Sequence, residues 1–256
     1  MIKEKIGILG CGWLGYRLAQ SLGENFEIHT TVTGPEKIEV LTKENFHPEI
    51  VNFEQKGDDG AGQERWDKLG LLNHIIISVP LFSKRIDQER LKIRITNLSG
   101  FIRGFKGTLI LMSSIGVYQE FSAAITEDLL PSEAVAGEKE IKELFGQVNI
   151  LRLGGLMGDD RLLRKYKATE IDNHVNHVHF MDICRIVHLL IKKKVTSAVY
   201  NITAPCHPSK RAVINAQLGI NNEELPATGG KMVMCYKVMD ELGYEFLYPD
   251  PRYFHG

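Results

Sequence analysis

The chain has 256 residues, 43% hydrophobic and 25% charged, the make-up of a globular protein with a large core rather than a disordered or fibrous chain. Lys and Arg total 31 against 32 Asp and Glu, a formal charge of -1, so neither nucleic acid nor an anionic membrane is an expected partner. No apolar run approaches a membrane span and Met1 to Lys5 lacks the apolar core of a signal peptide, so the expectation is a cytoplasmic protein.

The chain opens on the pattern from which the rest is read. Ile6, Ile8 and Leu9 mark a short buried strand, and Leu14, Leu18 and Leu22 recur every fourth residue along one face of a helix. Between them Gly10, Gly12 and Gly15 stand in the G-x-G-x-x-G spacing. Gly10 permits the tight turn, Gly12 lets backbone amides approach a pyrophosphate, and Gly15 lets the helix pack closely on the strand. The helix N-terminus then offers amides and a positive dipole end to phosphates. Gly10, Cys11, Gly12, Trp13, Leu14 and Gly15 are therefore the first cofactor-binding candidates. The alternative is a glycine-rich bend that binds nothing. Cys11 reads as a small residue filling a crowded turn. Cys184, Cys206 and Cys235 are scattered, which indicates neither a zinc site nor a disulfide framework.

Phe26 to Val32 is the second strand, closed by Gly34-Pro35, and Glu36 to Lys43 can form a helix. Glu49 to Phe53 reads as a third strand, and Gln55 to Gln63 as a polar surface loop. His74 to Val79 is an apolar, β-branched run stopped by Pro80, the signature of a central parallel strand buried on both faces. Leu91, Ile95, Leu98 and Ile102 mark a long amphipathic helix, followed by a strand over Thr108 to Ser113. A further helix covers Ser132 to Phe145, with Val135, Ile141, Leu144 and Phe145 inward, and the strand Val148 to Leu153 follows. This alternation predicts right-handed βαβ units in a Rossmann-type, doubly wound parallel sheet.

From Gly154 the alternation fades. Val175 to Phe180 and Ala198 to Ile202 read as strands, and Ile183 to Ile191, Ser209 to Leu218 and Tyr236 to Leu242 as helices. Nothing in the chain has a linker's composition. The expectation is a single NAD(P)-binding domain over 1–256, with 154–256 supplying most of a small α/β lobe on the substrate side.

Several segments together resemble the extended short-chain dehydrogenase/reductase family, which includes NAD-dependent epimerases and dehydratases. Met112-Ser-Ser-Ile-Gly-Val-Tyr118 resembles its strand-five segment, and Leu151 to Gly158 its Arg-to-Gly segment. Asn176-His-Val-His-Phe-Met-Asp182, Ala198-Val-Tyr-Asn-Ile202 and Leu242-Gly-Tyr-Glu-Phe-Leu-Tyr-Pro249 resemble later family segments, in the family's order. The tighter Gly10-x-Gly12-x-x-Gly15 turn is similar to the atypical branch. The family's Tyr-x-x-x-Lys pair falls on Val135 and Lys139, so the lysine is present and the tyrosine is not.

The resemblance implies a nicotinamide cofactor and places Ser114, Tyr118 and Lys139 in catalytic positions. Val135 cannot carry a proton, whereas Lys139 could still hold the ribose, or stand solvated among its charged neighbours. Ser114 could bond a substrate oxygen or end a strand, Ser113 is a further cofactor candidate, and Tyr118 could donate a proton or pack against its surroundings. Ser78, Val79 and Pro80 end the fourth strand on the ligand rim, where they could floor the cofactor. No acid stands at the end of the second strand, and Thr31 and Thr33 could donate hydroxyls there, which favours NADP over NAD. His177 and His179 alternate on one strand without a carboxylate or thiol nearby, so no metal is expected.

The function so implied is an NAD(P)-dependent oxidoreductase or epimerase/dehydratase-like protein acting on a small polar substrate, a sugar or nucleotide-sugar, bound between rim and lobe. The alternative is a non-catalytic NAD(P)-binding sensor or scaffold. A homodimer, paired through helices, is the assembly the resemblance suggests.

Overall fold

The computed structural model describes residues 3–55, 63–81, 87–118, 124–129, 136–220 and 226–255. In chain order its elements are β1 (Lys5–Leu9), α1 (Trp13–Gly23), β2 (Glu27–Val32), α2 (Ile38–Lys43), β3 (His47–Ile50), β4 (His74–Ile77), α3 (Gln88–Phe101) and β5 (Thr108–Ser114). Then follow β6 (Ala124–Ile125), α4 (Ala136–Leu144), β7 (Asn149–Leu153), β8 (Gly155–Met157), β9 (His177–His179), α5 (Phe180–Lys193), β10 (Val199–Ile202), α6 (Lys210–Leu218), β11 (Met232–Val233) and α7 (Tyr236–Leu242).

Seven strands form the central sheet in the order β10-β7-β5-β4-β1-β2-β3. From β3 to β5 the neighbours pair in parallel, with Ile8 opposite Thr30 on one side and Ile76 on the other. The chain winds outward from β1 to β3 and then crosses back to β4, so β1 and β4 flank the point where the winding reverses. Ligands of doubly wound sheets bind outside the strand ends at that point.

Strand lengths follow the ladders. β4 ends at Ile77 rather than Val79 because its partner β1 ends at Leu9, although Ser78 still donates its amide to Leu9 C=O at 2.8 Å. β3 begins at His47, earlier than its apolar residues suggest, because β2 sets its register from His29 opposite His47 to Val32 opposite Ile50. Pro48 is tolerated because β3 lies at the sheet's edge.

Helix starts are capped where the sequence supplies an acceptor. Asp87 accepts the amide of Arg90 at 2.9 Å ahead of α3, and the Ser209 hydroxyl accepts that of Ala212 at 3.1 Å ahead of α6. Leu14, Leu18 and Leu22 of α1 are buried, as their spacing predicts. Ile141 of α4 and Phe145 just after it are buried but Leu144 is 56% exposed, since it lies one step off the stripe they define. Val135 lies outside the described residues.

The contacts divide the chain into two compact units. One comprises Met1–Ser113, Glu133–Ile150 and Leu190–Ala198; the other comprises Ser114–Ser132, Leu151–Leu189 and Val199–Gly256. The second holds two small parallel pairs, β6 with β11 and β8 with β9, whose strands of two or three residues are too short to leave a periodic signal. Among the described residues no helix is long and apolar enough to cross a membrane.

Candidate functional site

The bend between β1 and α1 is shaped by its glycines. Gly10 has a φ of +91°, where a side chain would be strained, and a Cβ there would meet Val79 Cγ2 at 2.8 Å. A Cβ on Gly15 would run into the carbonyl oxygen of Gly10. Around Gly12 the space is open: beyond its chain neighbours, no described residue comes within 4 Å of where a Cβ would stand. Gly12 is also the N-cap of α1, which has no side-chain cap among the described residues, and the helix's first carbonyl bond is Gly12 C=O accepting Tyr16 N–H at 3.0 Å. The bend thus stands at the positive end of a helix of 11 residues, with its Gly10, Cys11 and Gly12 amides bonded to Thr31 and to Gly10 C=O.

The neighbouring strands hold that bend in place. The Thr31 hydroxyl accepts Gly10 N–H at 2.9 Å, and Thr31 C=O accepts Cys11 N–H at 2.8 Å. Thr31 is buried, so its place is beneath the bend, while Thr33 is exposed at the end of β2. Cys11 is buried too, and burial pushes its thiol up, which keeps it protonated at neutral pH. Lys37 reaches over from the turn after β2 and donates to Cys11 C=O at 3.1 Å, placing a cation beside the bend. A side chain at position 34 would run into the carboxylate of Glu36, which curls back over Gly34. The acid missing from the end of β2 is thus brought to the neighbouring turn.

Trp13 and Leu14 open α1; Leu14 is buried, and the Arg17 guanidinium lies 3.8 Å from the centre of the Trp13 ring. Ser78 and Val79 are half-buried and Pro80 exposed. Pro80 C=O accepts from Arg94 Nη1 at 2.5 Å, and Arg94 also pairs with Glu54. Sequence reasoning missed Arg94, although its place on the Leu91–Leu98 stripe of α3 was the signal: a cation on an apolar face needs a partner.

The residues singled out by resemblance are placed differently. Ser113 donates its hydroxyl to Glu138, which is buried on the same stripe of α4 as Ile141 and Phe145. A carboxylate on a buried stripe was the legible signal for this partnership. Lys139 lies one step round the helix, 80% exposed, with its ammonium 3.9 Å from Glu143.

In the second unit the Ser114 hydroxyl accepts Gly116 N–H at 3.1 Å and ends the strand. Tyr118 is 3% exposed. Its hydroxyl donates to Asn201 Oδ1 at 2.8 Å and accepts from Arg152 Nη1 at 2.7 Å. Burial pushes that phenol's pKa up. Asn201 in turn donates its amide to Glu127 Oε1 at 2.7 Å and its side chain to Met234 C=O at 3.2 Å. Asp182 is fully buried and accepts from Tyr244 Oη at 2.6 Å, Leu247 N–H at 2.7 Å and Tyr248 N–H at 3.1 Å, pinning the C-terminal segment to α5. His179 stacks on Tyr248 with ring centroids 3.8 Å apart.

Fold and bend together define a Rossmann-type α/β protein, and the solved structures it is similar to agree. It superposes on the Bordetella bronchiseptica enzyme WbmG in complex with NAD with a TM-score of 0.75 at 15% identity, covering 98% of this chain and 91% of that one. On the UDP-glucuronic acid 4-epimerase of Bacillus cereus in complex with NAD the TM-score is 0.72 at 15% identity, covering 98% and 97%. The chain therefore shares its fold with that epimerase and with a dTDP-glucose 4,6-dehydratase of Bacillus anthracis in complex with NAD, the latter with a TM-score of 0.71 at 12% identity, covering 97% and 94%. Among curated proteins it is similar to Protein YeeZ of Escherichia coli K12, 24% identical over 269 residues and 97% of each chain. No family model matches it.

Proposed function

We propose that this protein binds a nicotinamide dinucleotide, with its diphosphate against the bend at Gly10–Gly15, and acts as an oxidoreductase or epimerase/dehydratase on a small polar substrate of the sugar-nucleotide class. One observation carries the reading: among the described residues the bend is open at Gly12, closed at Gly10 and Gly15, and faces a helix start with no side-chain cap. That geometry suits an anionic group that approaches the backbone closely at the positive end of a helix. The solved structures of the same fold bound to NAD support the ligand class.

Thr31 would keep the amides of residues 10 and 11 fixed, and Lys37 would offset phosphate charge. Bound there, a nicotinamide supplies or accepts a hydride; this chain's part is to orient it and exclude water. The preference for NADP rests on the lack of an acid at the end of β2. Glu36 over Gly34 opposes a 2′-phosphate and Lys37 favours one, so relative affinity depends on their balance.

A second reading, binding without turnover, is favoured by one observation. The hydroxyl of Tyr118 is buried and engaged by Arg152 and Asn201, and Lys139 is turned to solvent. Titration with NADH and NADPH by fluorescence, followed by turnover assays on UDP- and dTDP-sugars, separates the two. Binding with turnover supports the enzyme, binding alone supports the sensor, and no binding refutes both.

A further inference from the structure

A second cluster stands at the opposite ends of the strands from the bend. Glu27 opens β2, and His29 follows two residues later, on the same face by the alternation of a strand. His47 opens β3 directly opposite His29 in the parallel register. Nε2 of His29 lies 2.9 Å from Oε1 of Glu27, and Nε2 of His47 lies 3.7 Å from the same oxygen. One ligand atom from each residue falls within 4.8 Å of the others. The two imidazoles stack with centroids 4.7 Å apart and an interplanar angle of 26°, so the exposed His47 ring must turn out of the stack to aim its nitrogen at the point that His29 and Glu27 share. A tetrahedral ion with ligands at roughly 2 Å needs donor atoms roughly 3.3 Å apart, so small side-chain rotations would close the set.

We propose that Glu27, His29 and His47 bind a divalent transition ion of the zinc class, which clips the edge strand β3 to β2. Two imidazoles and one carboxylate select zinc, cobalt or nickel over magnesium or calcium, which prefer all-oxygen sets. His29 is buried and fixes its nitrogen in place, whereas His47, 52% exposed, leaves the ion an entry path and room for water.

Lys5 is the internal competitor. Its Nζ lies 2.8 Å from Oε1 of Glu27, the oxygen that faces both imidazoles. An arriving ion displaces this partly exposed side chain toward solvent, so removing the lysine's charge should strengthen metal binding rather than weaken it. A carboxylate that served only as the lysine's ion-pair partner would show no such gain.

The test uses chelator-treated protein titrated with Co²⁺, read by its visible ligand-field absorption, and with Zn²⁺ in excess Mg²⁺ by calorimetry. One ion per chain is expected, and Zn²⁺ should raise the thermal unfolding midpoint. His47→Ala, at an exposed position, and Glu27→Gln should each weaken binding about tenfold or more, and Lys5→Met should tighten it. A His255→Ala control should leave it unchanged, as should the presence of NADH. Binding that persists undiminished in both His47→Ala and Glu27→Gln, loses to Mg²⁺, or gives no ligand-field bands overturns the proposal.

Discussion

The hydroxyl of Thr31 accepts the amide of Gly10 at 2.9 Å, so β2 holds the bend of β1 through a side chain that never reaches its surface. Thr31→Val keeps the shape and removes the acceptor. It should cost about 1–3 kcal/mol in chemical denaturation, the penalty of a buried amide left unpaired. Affinity for NADH should fall with it, because the amides of the bend lose their fixed direction.

Tyr118→Phe should act on stability rather than on cofactor binding. The change leaves the Arg152 guanidinium and Asn201 without the phenol that joins them. A loss of about 1–3 kcal/mol is expected, read from the denaturation midpoint. NADH affinity should stay at the wild-type value.

Glu36→Gln should move cofactor preference toward NADP. The carboxylate over Gly34 is exposed, so removing its repulsion of a 2′-phosphate is worth about 1 kcal/mol, or about fivefold in affinity ratio. Paired fluorescence titrations with NADH and NADPH measure that ratio directly. Lys37→Ala should move it the other way.

Acid should weaken the fold before carboxylates titrate. Burial pushes His177 down to about 4 from an ordinary 6.5, and lowers His207 in the same way. Below pH 6.5 the unfolded chain takes up protons that the folded chain refuses, so stability falls from there toward pH 4 and is unaffected above it. The loss assigned to His177 is at most about 3 kcal/mol. His177→Gln should flatten the decline in denaturation series run across that window.

Much of the fold was legible because its signals are local and repetitive. The Leu14–Leu18–Leu22 spacing, the β-branched run at Ile75–Ile77 and the stripe of α5 each report burial along one element. The turn and packing roles read for Gly10 and Gly15 were legible for the same reason, since each is demanded by backbone or side chains close at hand. What stayed hidden depends on partners far along the chain. Glu138 and Arg94 each announce from their stripes that a partner is needed, but not that the partners are Ser113 and Pro80, and nothing near Asp182 announces that it collects Tyr244, Leu247 and Tyr248. Lys139 illustrates the opposite hazard. Matching a family spacing put it on the candidate set, but the buried stripe of α4 runs through its neighbour, Glu138.

The most direct test of dinucleotide binding at the bend is a titration of NADH and NADPH into the wild-type protein and Gly12→Ala. Gly12 has a φ of -80° and open space around it, so an alanine there fits the fold while its methyl group stands where phosphate oxygens must approach. The account predicts wild-type binding that weakens about tenfold or more in Gly12→Ala, at an unchanged unfolding midpoint. Equal binding by the two proteins, or none by the wild type, would contradict it.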